Sequence, residues 1–127
     1  MIGFQGESSD IYGLAAHERS VVVADHVQVQ TTVDSAESGA NLARSITEAR
    51  LAACVQISSP IRSIYWWQGE IEEAEEFQLF IKTTVDRLAG LERHIKANHP
   101  YDTPEIIVVP IVGGSAEYLG WITEETR

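Results

Sequence analysis

Between residues 51 and 85 the chain reads LAACVQISSPIRSIYWWQGEIEEAEEFQLFIKTTV, two extended runs turned back on each other at Gln68-Gly69. A dipeptide of this kind between apolar runs punctuates a hairpin. LAACVQI is interrupted by SSP and resumes as IRSIYWW. The return run, EIEEAEEFQLFIKTTV, exceeds the five or six residues of an ordinary strand. A hairpin this long needs a sheet to belong to, and the flanking segments supply one.

Upstream, HVQVQTTV (26–33) alternates apolar and polar residues, as a strand with two unlike faces does. Asp34 opens DSAE with Glu37 three residues on, a capping-box-like start. Leu42, Ala43, Ile46 and Ala49 follow at helical spacing, which predicts a helix over 35 to about 50. Downstream, Thr84 is placed to cap a second helix, 85 to about 97, with Leu88, Leu91 and Ile95 on one side. IIVVPIV (106–112) reads as a strand broken by Gly113-Gly114, after which Ser115 caps a short last helix carrying Tyr118, Leu119 and Ile122. The order β-α-β-β-α-β plus a C-terminal helix is that of the α+β, ferredoxin-like plait, in which two helices cover one face of an antiparallel sheet. One domain, 26–127, is expected. Residues 1–25 read as a mobile tail of mixed Gly, Ser, Asp and Glu, in which the apolar YGLAA could form a helical turn.

A lone plait leaves its second face in water, and its strands should then alternate cleanly. These do not. IIVVPIV is apolar at both parities, IYWW puts rings on both faces, and Phe80 interrupts the side otherwise held by Gln78 and Lys82. Each ring buries up to about 150–250 Å², so leaving several in water forgoes several kcal/mol at about 25 cal/mol per Å². A last helix of about ten residues is short for this task, so neighbouring copies are expected to cover the face. The glutamates at 70, 72, 73, 75 and 76 read as a solvated face guarding a protruding hairpin against edge-to-edge pairing.

The net charge of −10 with only nine scattered Lys and Arg excludes phosphate backbones as natural partners, so no nucleic acid is expected. No apolar run of spanning length exists, and the N-terminus lacks the pattern of a secretory leader, so neither a membrane nor export is expected. One cysteine, Cys54, cannot form an internal disulfide, which fits the cytoplasm. No nucleophile elbow, phosphate loop, H-E-x-x-H or C-x-x-C occurs, and Cys54 sits among small apolar neighbours, so no enzyme is expected.

The remaining chemistry gathers on NHPYDTPEI (98–106), which holds two of the four prolines. Pro100 biases His99 toward an extended backbone beyond the second helix. Its imidazole is then either a capping group bonded to a carbonyl or a ligand at a site. Rigid placement of His99, Tyr101 and Glu105 lowers the ordering cost of contacts made there. Lys82 is the opposite charge, and a Lys82–Glu105 pair beside Tyr65, Trp67 and Tyr101 would line a small polar-aromatic cleft. His94, next to Arg93, is expected to be exposed.

The pieces EARLAACVQI, SIYWWQGEI, EFQLFIKTT, NHPYDTPEI and YLGWI resemble, in order and spacing, the CutA divalent-cation tolerance proteins over about four fifths of the chain. The resemblance implies a homotrimer in which long hairpins reach across to partners, and a link to copper and other divalent ions without an established reaction. The family's cleft carries over to Tyr65, Trp67, Lys82, His99, Tyr101, Pro104 and Glu105. Some relatives hold copper with a first-strand cysteine and a His-His-Pro. Here those positions read Thr31 and Asn98-His99, which weakens a nitrogen and sulfur site and leaves His99 as the implied contact for Cu²⁺. An alternative is a small-molecule-sensing trimer, related in fold to nitrogen-regulatory signal proteins, with Lys82, Tyr101, Trp67 and Glu105 gripping a small anionic or zwitterionic ligand between subunits.

Overall fold

The computed structural model describes Ile2–Gly3, Val21–Val22 and residues 24–127. The two short pieces, β1 (Ile2–Gly3) and β2 (Val21–Val22), pair antiparallel. Apart from residues 24 and 25, the rest of the expected tail, including the YGLAA turn, lies outside the described residues. Four further strands form one sheet: β3 (His26–Val33), β4 (Cys54–Trp67), β5 (Glu70–Thr84) and β6 (Ile107–Ile111). Their order is β4-β5-β3-β6, and every neighbouring pair is antiparallel. Helix α1 (Ala36–Glu48) links β3 to β4, and α2 (Leu88–Asn98) links β5 to β6. This is the ferredoxin-like plait.

The core lies between the helices and one face of the sheet. Val27, Val29 and Val33 of β3 and Leu79 and Ile81 of β5 are buried against Leu42, Ile46, Leu91 and Ile95. Gly39 permits this approach, since a Cβ there would meet Val33 Cγ2 at 3.2 Å. The residues between these, such as Gln28, Gln30, Phe80 and Lys82, therefore point to the second face.

The hairpin is tight. Trp67 pairs with Glu70 across Gln68 at φ 51° and Gly69 at φ 85°. Two positive φ values belong to a type I′ turn, whose twist matches that of the strands it joins. SSP is expected from the sequence to interrupt the first run, and it does not. The strand continues through it as a bulge: Ile57 pairs with Leu79 and Pro60 with Phe77, so two serines face Gln78 alone. Ser58 Oγ accepts the Gln78 N–H at 2.9 Å, which replaces the ladder bond lost there.

Helix starts also differ from expectation in detail. Ser35, not Asp34, caps α1, accepting from Ser38 N–H at 3.0 Å. Thr84 makes no side-chain cap; a 3₁₀ turn (Val85–Arg87) precedes α2 instead. Ser115 does cap α3 (Ala116–Glu125), accepting from Tyr118 N–H at 3.2 Å. His94 is half-buried rather than exposed, with Nε2 2.8 Å from Ser45 Oγ on α1.

α3 rests on the second face at the end near the start of β3. His26 Nε2 lies 2.9 Å from Thr123 Oγ1, Ile122 is fully buried, and Tyr118 lies against Cys54, its hydroxyl pushed up first by burial. Arg50 pairs with Glu125 at 2.7 Å. One end is thus covered from within the chain. Ile61, Tyr65, Trp67, Ile107 and Val109 stay open on the same face, Ile107 at 47% and Trp67 at 52% exposure. On the hairpin's reverse side Ile64, Trp66 and Ile71 are also bare.

Candidate functional site

The register places the site. Counting back from the two-residue turn, Tyr65 faces Glu72, and Ile61 faces Glu76, all on the second face of the sheet. The segment after α2 then closes over the end of β3. Asn98 turns its amide back to the His94 carbonyl at 2.9 Å, which completes the helix end. His99 takes an extended conformation, φ −84° and ψ 142°, as a residue before proline does.

Freed from the helix, the His99 ring is held at both nitrogens. The Tyr101 N–H donates to Nδ1 at 3.0 Å, so Nε2 carries the ring proton and donates to the Thr32 carbonyl at 2.7 Å. Burial pushes the imidazole below its usual range, outweighing the Thr32 bond and the charges of Asp34 and Glu76 that oppose it. The Tyr101 ring stands 4.9 Å from that of His99, and its hydroxyl donates to Glu76 Oε2 at 2.8 Å. Burial first, and then the Glu76 carboxylate, hold the Tyr101 proton on well above the ordinary phenol range.

Beyond this knot lies a cavity of about 520 Å³. Tyr65, Trp67 and Tyr101 supply its rings, and Glu72, Glu76, Asp102 and Glu105 supply four carboxylates. No Lys or Arg lines it among the described residues. The volume falls in the range of small-molecule sites, about 300–1,000 Å³.

The structure thus brings Tyr65, Trp67, Tyr101 and Glu105 together, with His99 behind Tyr101. It does not bring Lys82 to them. Lys82 pairs in register with Cys54 and Gln28 and donates to the Gln56 side chain. It stands six residues along β5 from Glu76, about 20 Å at strand rise. The expected Lys82–Glu105 pair is therefore absent, because the register that sets Lys82 opposite Gln28 and Ile107 opposite Gln30 carries the lysine away from the loop that bears Glu105. Pro104 is half-buried and braces the loop without lining the cavity. Sequence reasoning missed Glu72, Glu76 and Asp102. The two glutamates were findable, since the turn at Gln68-Gly69 sets which glutamates share a face with Tyr65 and Trp67.

The donors do not fit a built-in copper or zinc centre. Neutral imidazole offers one lone pair, and on His99 the Tyr101 amide occupies it. Cys54 lies under α3, away from the cavity. Among the described residues no three His, Cys, Asp or Glu side chains converge on a metal-sized space.

Residues 27–125 match the model of the CutA1 divalent ion tolerance protein family. The chain is 46% identical to the divalent-cation tolerance protein CutA of Thermus thermophilus, over 77% of this chain and 95% of that one. It is 43% identical to the chloroplastic CutA 1 of Oryza sativa over 89% of this chain, and spans 64% of that protein's length. The crystal structure of CutA1 from Oryza sativa superposes with a TM-score of 0.79 at 45% identity, covering 82% of this chain and 95% of that one.

Proposed function

The chain belongs to the CutA1 divalent ion tolerance family, and we propose that it acts in divalent-cation tolerance as a non-catalytic homotrimer that binds Cu²⁺ or similar ions weakly. The observation that carries the ion reading is the cavity's charge: four carboxylates and, among the described residues, no Lys or Arg. A cation is drawn there by the summed field. Weakness follows from the same geometry. For His99 to ligate, it must give up the Tyr101 N–H, and an amide left unpaired there costs about 1–3 kcal/mol, or roughly 5- to 150-fold in affinity. The trimer reading rests on the open apolar residues Ile61, Ile107 and Val109, which a neighbouring copy would remove from water. A free Cys54 supports placement in a reducing compartment, the cytoplasm.

Calorimetry with CuCl2 tests the ion reading. The wild type gives a weak, saturable isotherm, and the Glu72→Gln, Glu105→Gln double variant loses most of it; equal isotherms would overturn the reading. Sedimentation is expected to find a particle of three 14.0 kDa chains, and Ile107→Glu to dissociate it; a wild type that sediments as one chain would overturn the trimer.

The alternative, a small-molecule sensor, has one observation in its favour: the cavity is larger than an ion requires. Its ligand is not the anionic one that a nearby Lys82 would have suggested.

A further inference from the structure

We infer that the Tyr65–Trp67–Tyr101 cleft is a site for a small organic cation, an alkylammonium group held over the rings. The inference rests on the proposal that the cleft attracts cations and names the kind it is shaped for. Three observations lead to it. The lining mixes rings and carboxylates, with Tyr65, Trp67, Glu72 and Glu76 on the sheet and Tyr101, Asp102 and Glu105 on the loop. The cavity of about 520 Å³ exceeds the needs of a bare ion and its ligand oxygens. The carboxylates surround this space without converging, since no three of them close on a metal-sized point among the described residues.

These features separate two kinds of cation. A divalent ion is strongly hydrated and exchanges its water only for several oxygens at about 2.0–2.6 Å. Among the described residues the cleft offers no such converging set, so it holds a divalent ion only weakly. An alkylammonium ion is weakly hydrated and spreads its charge over methyl or methylene groups. It needs ring faces and a surrounding negative field, and each ring contributes about 0.5–2 kcal/mol through its quadrupole. Tyr101 is prepared for this part. Its hydroxyl is committed to Glu76 and its amide to His99, so the ring is fixed at both ends and keeps its face for the guest. Tyr65 lies near enough to Tyr101 to raise the pKa of its hydroxyl further. Among the described residues an anion finds no positive partner in the lining, because Lys82 lies outside and is bound to Gln56.

Tryptophan fluorescence, with Trp66→Leu to isolate the contribution of Trp67, and calorimetry with tetramethylammonium chloride test the inference. The controls are tert-butanol, a neutral molecule of similar shape, and sodium phosphate. Wild type is expected to give a saturable signal with tetramethylammonium and none with either control. Trp67→Leu, read by calorimetry, is expected to weaken binding at least about twofold. Trp66→Leu, on the reverse side of the hairpin, is expected to leave it unchanged. Both rings are exposed within one chain, so neither variant removes its core, and sedimentation checks that each variant assembles as the wild type does. Equal binding of tert-butanol, saturable binding of phosphate, or no effect of Trp67→Leu would each overturn the inference. A CuCl2 isotherm without any tetramethylammonium response overturns this inference alone. Silence from both cations overturns the acidic-cleft reading as well, and tetramethylammonium binding without copper supports the organic cation and sinks the metal.

Discussion

Protonating His99 should loosen the loop that carries Tyr101, and the structure sets both the direction and the rough size. The ring has one acceptor, Nδ1, and the Tyr101 N–H occupies it. A second proton on the ring must displace that bond and leaves two donors facing each other. The folded state therefore disfavours the imidazolium, in keeping with the downward pull that burial exerts on this group. With the folded pKa below the unfolded value near 6.5, the unfolded chain binds more protons in the window between the two. Stability is then full above about pH 6.5 and falls as the pH drops below it. Loss of a neutral hydrogen bond at a half-buried site is worth about 1 kcal/mol. The assay is urea unfolding from pH 7.5 to 5.0 at fixed protein concentration, comparing wild type with His99→Gln to cancel the carboxylates. Concentration is held constant because assembly adds its own stability. The wild type's advantage over the variant should shrink by about 1 kcal/mol toward pH 5. An advantage that is flat or grows toward low pH, or an NMR titration placing His99 above 6.5, would refute the bonding scheme.

Three other outcomes follow from single contacts. Thr31 Oγ1 is buried without a hydrogen-bond partner among the described residues, so Thr31→Val should raise the urea midpoint by the equivalent of about 1 kcal/mol; a lowered midpoint would reveal a partner for the hydroxyl. Ser58→Ala removes the acceptor for the Gln78 amide at the bulge and should cost about 1 kcal/mol, with faster hydrogen exchange at Gln78. Ile122 is the fully buried anchor of α3, and Ile122→Ala should cost about 2–5 kcal/mol in thermal or urea unfolding, with amide protection lost through the last helix first.

The fold was legible because it rests on period and punctuation, and the family expectation rested on the resemblance carried by pieces such as SIYWWQGEI and NHPYDTPEI. Alternation in HVQVQTTV, helical spacing from Leu42 to Ala49 and the Gln68-Gly69 turn each act over a few residues, and together they allow few sheets. The helix starts moved by a residue or a turn, since Ser35 and Asp34 are both competent caps and only the chain's approach to β3 selects between them.

What the sequence determined by itself was the plait, the two-sided greasiness of its strands and the rigid NHPYDTPEI connector. These follow from side-chain chemistry read against a fixed backbone period. What only the tertiary structure decided was who meets whom. The strand register sends Lys82 to Gln56, and the loop after α2 lays Tyr101, Asp102 and Glu105 beside the Glu72 and Glu76 that the turn sets on the face of Tyr65, turning a cleft expected to carry a lysine into one lined by carboxylates. It also decided that the lone pair of His99 goes to Tyr101. Hydrogen-bond partners are chosen at about 3 Å by residues as distant in sequence as Thr32 is from His99, 67 positions apart, and no local pattern encodes that choice.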